Sequence, residues 1–218
     1  MKLFNKILLT ILLLTITSEV PAYFFWYIPK FGKHPADRTF KFTPKPENYS
    51  SLLRLKQKAI SVRNFVKNNN YNGIHCFLID MKIPSGKKRF FVYDLYKDTV
   101  EMAGLVAHGC GSAKGKNELV FSNSPNSNCT SLGKYKIGIR YMGRFGLAYK
   151  LYGLDDSNSK AFERFVVLHA YPLVPNDEVV PFPICESLGC PMVAPAFLQE
   201  LKCIIDHSEK PILLWIYY

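Results

Sequence analysis

The rhythm of hydrophobic positions changes once, sharply, along this chain. Between Ser51 and Asn68, the apolar residues Leu52, Leu55, Ala59, Val62 and Val66 recur three and four residues apart. That is the period of one helix face. Ser50 or Ser51 supplies a side-chain oxygen for the orphan amides at its start, and Asn68-Asn69-Asn70 ends it. From Cys76 onward the pattern is one of short apolar runs. Cys76 to Met81 and Arg89 to Leu95 flank the turn Pro84-Ser85-Gly86, and Val100 to His108 follows as a third strand. Residues 109–131 are rich in Gly, Ser and Asn and read as a long loop. Lys134 to Ile139, Leu147 to Tyr152 and Phe165 to His169 are further strands. Ala194 to Ile205 reads as a short helix, and Ile212 to Tyr217 as a closing strand. There are no internal repeats. Many strands and few helices predict a mainly β fold, an antiparallel β-sandwich or open barrel with a few helices packed outside.

Residues 1–22 have a different character. Lys2 and Lys6 precede an unbroken stretch of apolar residues and threonine from Ile7 to Ile16, and Val20-Pro21-Ala22 offers the small residues of a cleavage site. The expectation is a signal peptide. The alternative is an uncleaved N-terminal anchor, because Phe24 to Ile28 prolongs the apolar character; Glu19 and Pro21 interrupt that longer stretch. Either reading places the rest of the chain outside the cytoplasm, periplasmic, secreted or held at the membrane through its N-terminus. Residues 23–49, with Pro29, Pro35, Pro44 and Pro46, read as a linker, and residues 50–218 as the folded domain.

Composition narrows the partners. The 218 residues carry a net charge of +11, and removal of residues 1–22 takes away Lys2, Lys6 and Glu19 and leaves +10. A basic exported protein is drawn to anionic surfaces. Export and the lack of a basic stripe interleaved with aromatics argue against nucleic acid, and Lys87-Lys88-Arg89 reads as a solvated hairpin. The six cysteines (Cys76, Cys110, Cys129, Cys185, Cys190 and Cys203) show no C-x-x-C and no common zinc spacing, so no metal site is expected. An oxidising compartment permits disulfides. The closeness of Cys185 to Cys190 in sequence makes a crosslink a competing fate for either thiol.

Several short motif matches carry nothing. Ser85-x-x-Lys88, Ser131-x-x-Lys134 and Ser157-x-x-Lys160 all fit the Ser-x-x-Lys of serine penicillin-binding enzymes, but the Lys-Thr-Gly strand those enzymes need is missing. The segment Gly109 to Lys116 approximates a phosphate loop, with its first glycine misplaced and Asn117 where Ser or Thr is required. Neither Gly-x-Ser-x-Gly nor His-Glu-x-x-His occurs. One constellation remains. The apolar run Arg164-Phe165-Val166-Val167-Leu168 ends on His169, and the turn Ser187-Leu188-Gly189-Cys190-Pro191 follows. An imidazole can take a thiol proton and leave the nucleophilic thiolate, so the pair suits acyl transfer.

These segments resemble the L,D-transpeptidase (YkuD-type) catalytic domain, and specifically its murein L,D-transpeptidase subgroup. The resemblance runs from about Phe77 to Trp215. It includes Val106-Ala107-His108-Gly109, Phe121-Ser122-Asn123 leading to Ser131-Leu132-Gly133, and Leu151-Tyr152-Gly153-Leu154, with the His169 and Cys190 segments the most specific. It implies an exported cysteine acyltransferase acting on peptidoglycan stem peptides, with Cys190 the nucleophile that carries a thioester and His169 the base, and without metal or organic cofactor. Backbone N–H groups near Leu188, Gly189 and Cys190 are the candidate oxyanion donors, Ser187 the residue that fixes the turn, and Tyr152 a cleft-lining aromatic. The wider family has Ser-His-Gly-Cys followed shortly by Arg or Asn; here Leu188 replaces the histidine and Pro191-Met192 follows the cysteine. The contact to the substrate carboxylate is therefore unassigned, with Arg164 and Arg144 as candidates, and His108 is expected to be structural. Two alternatives stay open: an L,D-carboxypeptidase in which water resolves the thioester, and a non-catalytic wall-binding module.

Overall fold

The computed structural model describes residues 49–114 and 118–218. The signal or anchor reading of residues 1–22 and the linker reading, apart from Tyr49, lie outside these residues. Among the described residues, no helix is long and apolar enough to cross a membrane.

Helix α1 spans Tyr49–Asn68. Its face is the one the spacing predicts: Leu55, Ala59 and Val62 are buried, while Leu52 near its start is largely exposed. Burial of a leucine or valine side chain such as Leu55 or Val62 contributes about 1.5–3 kcal/mol, and the Ala59 methyl less. Two polar ties fix its placement. Arg54 donates from Nε to the wholly buried Asp80 carboxylate at 2.9 Å, and Arg63 donates from Nε to the Leu95 carbonyl at 3.0 Å.

The strands are β1 (His75–Asp80), β2 (Phe90–Asp94), β3 (Thr99–Gly104), β4 (Gly133–Gly143), β5 (Gly146–Gly153), β6 (Val167–Ala170), β7 (Met192–Val193) and β8 (Leu213–Tyr217), with helix α2 (Pro195–Asp206) between the last two. They form one eight-stranded sheet in the order β3-β2-β1-β8-β4-β5-β6-β7. The expected mainly β architecture with helices outside the sheet is observed. The sheet is mixed rather than wholly antiparallel, because β1 runs parallel to β8 and β6 parallel to β7. Its two edges meet: Val106, just beyond β3, forms an antiparallel bridge with Val193 in β7, and the Ala107 N–H donates to the Met192 carbonyl at 2.8 Å. This seam gives the sheet the curled form of an open barrel.

The faces of the sheet differ. One face buries Phe77, Phe90, Tyr135, Leu151, Leu168 and Leu214 in a core completed by Phe197, Leu198 and Leu201 of α2. On the other face, α1 covers Cys76, Leu78, Tyr93 and Leu213. Strand β1 is thus buried on both sides, which is why its sequence is a continuous apolar run instead of an alternation. Tyr149 pairs with Leu168, both toward the α2 core, so the adjacent pair Ala148 and His169 turns to the opposite face.

The structure corrects the solvated-hairpin reading of residues 87–89 at Arg89, which is only 1 % exposed. Its guanidinium donates to the Val106 carbonyl from Nε and Nη2, to the Ile83 carbonyl from Nη1, and to His108 Nδ1 from Nη2. A buried cation is tolerable when its donors are satisfied. Burial lowers its pKa to about 10, below the ordinary guanidinium value.

Candidate active site

The site grows from register. In the parallel pair β6–β7, His169 faces Met192 and Ala170 faces Val193. Continuing that register back by two residues sets Cys190 beside Val167, one pleat from His169 on the same face. The hydrogen bonds agree: Cys190 Sγ accepts from the Val167 N–H at 3.4 Å and donates to the Phe165 carbonyl at 3.6 Å. His169 and Cys190 both line a cleft of about 200 Å³, together with Val167, Ala148, Tyr141 and Phe145.

His169 is held in one tautomer. Its Nδ1 lies 3.0 Å from the Ala170 carbonyl, an acceptor only, so Nδ1 carries the proton and Nε2 is left as the basic nitrogen. Burial lowers its pKa below the ordinary 6.5, with the Ala170 hydrogen bond opposing in part. Burial also raises the Cys190 thiol above its ordinary 9.0, against smaller lowering effects of the Val167 N–H and of Arg164. At neutral pH both groups are therefore uncharged, and the pair is poised for proton transfer during attack rather than preset as an ion pair.

The cysteine turn is fastened from several sides. The Ser187 Oγ accepts from the Gly189 N–H at 3.0 Å, the turn-fixing role expected of it. That bond engages the Gly189 amide, so of the expected oxyanion donors it leaves those of its neighbours Leu188 and Cys190. The Ser187 N–H donates to the His108 carbonyl and the Ser187 carbonyl accepts from the Cys110 N–H, each at 2.8 Å. Gly189 sits at φ +115, and an added Cβ would lie 2.9 Å from the Cys129 carbonyl oxygen. Gly189→Ala is expected to lower stability by roughly 1–3 kcal/mol, the usual cost of forcing a side chain into such a backbone, read as a fall in the urea midpoint at unchanged slope.

The remaining expected residues separate. Arg144 lines the cleft, its guanidinium carbon 5.6 Å from the Phe145 ring centre. Arg164 does not line it. Its guanidinium donates to the Ser122 and Cys129 carbonyls and the Ser131 and Ser127 hydroxyls, bracing the loop beneath the cysteine turn. Tyr152 is likewise absent from the cleft lining and stacks on Phe162 at 5.3 Å and 10°. The Leu188 side chain is 74 % exposed. His108 is buried, accepts from Arg89 on Nδ1, and has its pKa lowered to about 4 by burial first and by the Arg89 charge second. All six cysteines are free thiols.

Sequence reasoning passed over the aromatic wall. The β4–β5 hairpin turns through Arg144 and Phe145, and Phe145, 53 % exposed, stacks on the His169 imidazole at 5.3 Å and 19°. Tyr141 reaches the cleft through a bulge. The pairing moves from Ile137 with Leu151 to Arg140 with Tyr149, adding one residue to β4, so Tyr141 comes opposite Ala148 on the His169 face. Without the extra residue, Tyr141 would point into the α2 core. Phe165 occupies φ +55, unusual for a residue with a side chain, and its carbonyl is the one that meets the Cys190 sulfur.

Comparison with known proteins adds the family. Residues 48–217 match the L,D-transpeptidase catalytic domain family. No curated protein matches the chain. Similar solved structures include the helical cell shape determining protein Pgp2 from Campylobacter jejuni, 13% identical with a TM-score of 0.41 over 74% of this chain and 54% of that one. Bd1075 from Bdellovibrio bacteriovorus is 17% identical, with a TM-score of 0.41 over 68% of this chain and 49% of that one. An L,D-transpeptidase from Mycobacterium smegmatis is 12% identical, with a TM-score of 0.38 over 66% of this chain and 59% of that one. The chain thus spans about half the length of the first two.

Proposed function

This chain belongs to the L,D-transpeptidase catalytic domain family, and from that premise we propose that it is a cysteine acyltransferase acting outside the cytoplasm on peptidoglycan stem peptides. The observation that carries the reading is the tautomer of His169. With Nδ1–H held by the Ala170 carbonyl, Nε2 is the free base in the cleft that Cys190 also lines.

The steps follow from those atoms. Nε2 of His169 takes the thiol proton as Cys190 Sγ attacks the carbonyl of the diamino acid in the donor stem. A C–S bond forms, and the carbonyl oxygen gathers negative charge facing the amides of Leu188 and Cys190. Such donors are worth about 3–4 kcal/mol each in well-studied hydrolases. The C–N bond to the terminal D-amino acid then breaks, and the leaving amine takes the proton from the imidazolium. The amine of a second stem attacks the thioester and gives its proton to Nε2 of His169. A C–N bond forms, the C–S bond breaks, and the imidazolium returns the proton to the departing Cys190 sulfur.

Muropeptide analysis after incubation of purified protein with disaccharide tetrapeptides tests the reading. The expected result is new dimers joined between two diamino acids, with release of the terminal D-amino acid. Tripeptides without dimers would replace the transferase by an L,D-carboxypeptidase that uses water as acceptor. Intact starting material would leave a wall-binding module.

A further inference from the structure

The sheet face that carries His169 continues past the cleft. On β5, Ala148, Lys150 and Tyr152 share that face, and on β4 Lys136 pairs with Tyr152 while Lys134 pairs with Trp215 of β8. Each lysine ends over a ring. Lys150 Nζ lies 5.0 Å from the Phe162 ring centre and 5.9 Å from that of Tyr141, a cleft residue. Lys136 Nζ lies 5.0 Å from the Tyr152 ring centre. Beyond them Lys134 and Lys58 share the Trp215 indole at 4.9 and 4.4 Å.

Lys134 is neutralised by Asp155 at 2.6 Å. Lys150 and Lys136 differ: both are half-exposed, and neither has a carboxylate partner among the described residues. A ring face holds an ammonium in place without neutralising it, because the attraction comes from the ring's quadrupole. Two pre-oriented, unneutralised cations on an open face adjoining the candidate nucleophile fit a ligand bearing discrete anionic groups. Spacing favours a peptide. At about 3.3 Å per strand residue, Lys150 lies roughly 7 Å and the Lys136–Tyr152 pair roughly 13 Å along β5 from the level of His169. Those distances match carboxylates on the reacting residue and on its neighbour in an extended stem, and the flanking rings suit the aliphatic parts between them.

We propose that Lys150 and Lys136 form the carboxylate-reading part of a donor-stem groove that starts at the Cys190 cleft and runs along β5 and β4. This rests on the acyl-transfer reading above. It assigns to lysines from the sheet the role that the residues after Cys190 leave unfilled, since Pro191 and Met192 offer no charge.

The test compares a disaccharide tetrapeptide with free stem carboxylates against the same muropeptide with those carboxylates converted to carboxamides. Binding is titrated on the whole chain carrying Cys190→Ala, and turnover is followed with the unmutated protein. Amidation is expected to weaken binding about fivefold per carboxylate, the upper range for a half-exposed ion pair, and to raise KM while kcat holds. Lys150→Met and Lys136→Met are expected to cost the same factor with the free-acid muropeptide and nothing further with the amidated one, and Lys150→Arg to restore most of the loss. The amidation arm needs no mutant, so a misfolded variant does not obscure the answer. Equal binding of the two muropeptides would overturn the proposal, as would binding of poly(glycerol phosphate) tighter than the free-acid stem. Charge-dependent binding without any thioester in the unmutated protein would sink the acyl-transfer reading and leave the groove standing.

Discussion

Cys190→Ala is expected to abolish dimer formation, lowering the rate at least about 10⁴-fold, because removing a covalent nucleophile leaves only binding and oxyanion contacts to act on the substrate. The fold is expected to persist. The sulfur contacts only the Val167 amide and the Phe165 carbonyl through hydrogen bonds, and it opens onto the cleft. Two measurements check this together. Muropeptide dimers should vanish from the variant, and a carbapenem, which acylates reactive thiols, should add its mass to the peptide containing Cys190 in the unmutated protein and to no peptide in the variant. Full crosslinking by the variant would refute Cys190 as nucleophile. An adduct on Cys185 or Cys203 would move the chemistry elsewhere.

The second large effect is expected at His169. His169→Gln keeps a side chain able to donate to the Ala170 carbonyl but offers no basic nitrogen, and the rate should fall about 10²–10⁴-fold. The pH profile gives an independent view. The imidazole must be neutral to accept the thiol proton, and its pKa is lowered by burial, so the acid limb should fall below the ordinary 6.5. The thiol pKa is raised by burial, so the proton that His169 removes is still present through neutral pH, and deprotonation sets in only above the ordinary 9.0. A broad plateau is expected between these limits. In His169→Gln the acid limb should disappear, and rate should climb with pH as thiolate forms without help. A rate in the unmutated protein that tracks thiolate alone from neutral pH upward would show that His169 takes no proton.

The parts legible in the sequence are those governed by local pattern. The spacing of Leu55, Ala59 and Val62 marks α1 because a helix face repeats every three or four residues. The run ending on His169 and the glycine before Cys190 mark the two halves of the candidate site, since one lies on a strand and the other takes a positive φ. What stayed hidden depends on partners far along the chain. Arg89 looks solvated beside Lys87 and Lys88, and only the carbonyls of Ile83 and Val106 with the ring of His108 make its burial tolerable. Arg164 looks like a substrate contact until the loop carrying Ser122, Ser127, Cys129 and Ser131 is folded around it. Phe145 and Tyr141 carry no signal of their own, because a two-residue turn and a one-residue bulge decide where they point. The parallel pairing of β1 with β8 joins strands more than a hundred residues apart, beyond the reach of any window of local pattern.

Strand β8 is the most C-terminal of the described strands, yet it lies between β1 and β4 at the middle of the sheet. Among the described residues, the hairpin strands β1 to β3 and the strands β4 to β7 are joined in the sheet through it, and on the other side by the bridges Val106–Val193 and Gly109–Ser187. Closing such remote pairings costs loop entropy before any contact rewards it. Residues 213–217 thus act as the keystone of an arch. Without them, the strands on either side lose the hydrogen-bonded ladders that hold them together at the middle of the sheet.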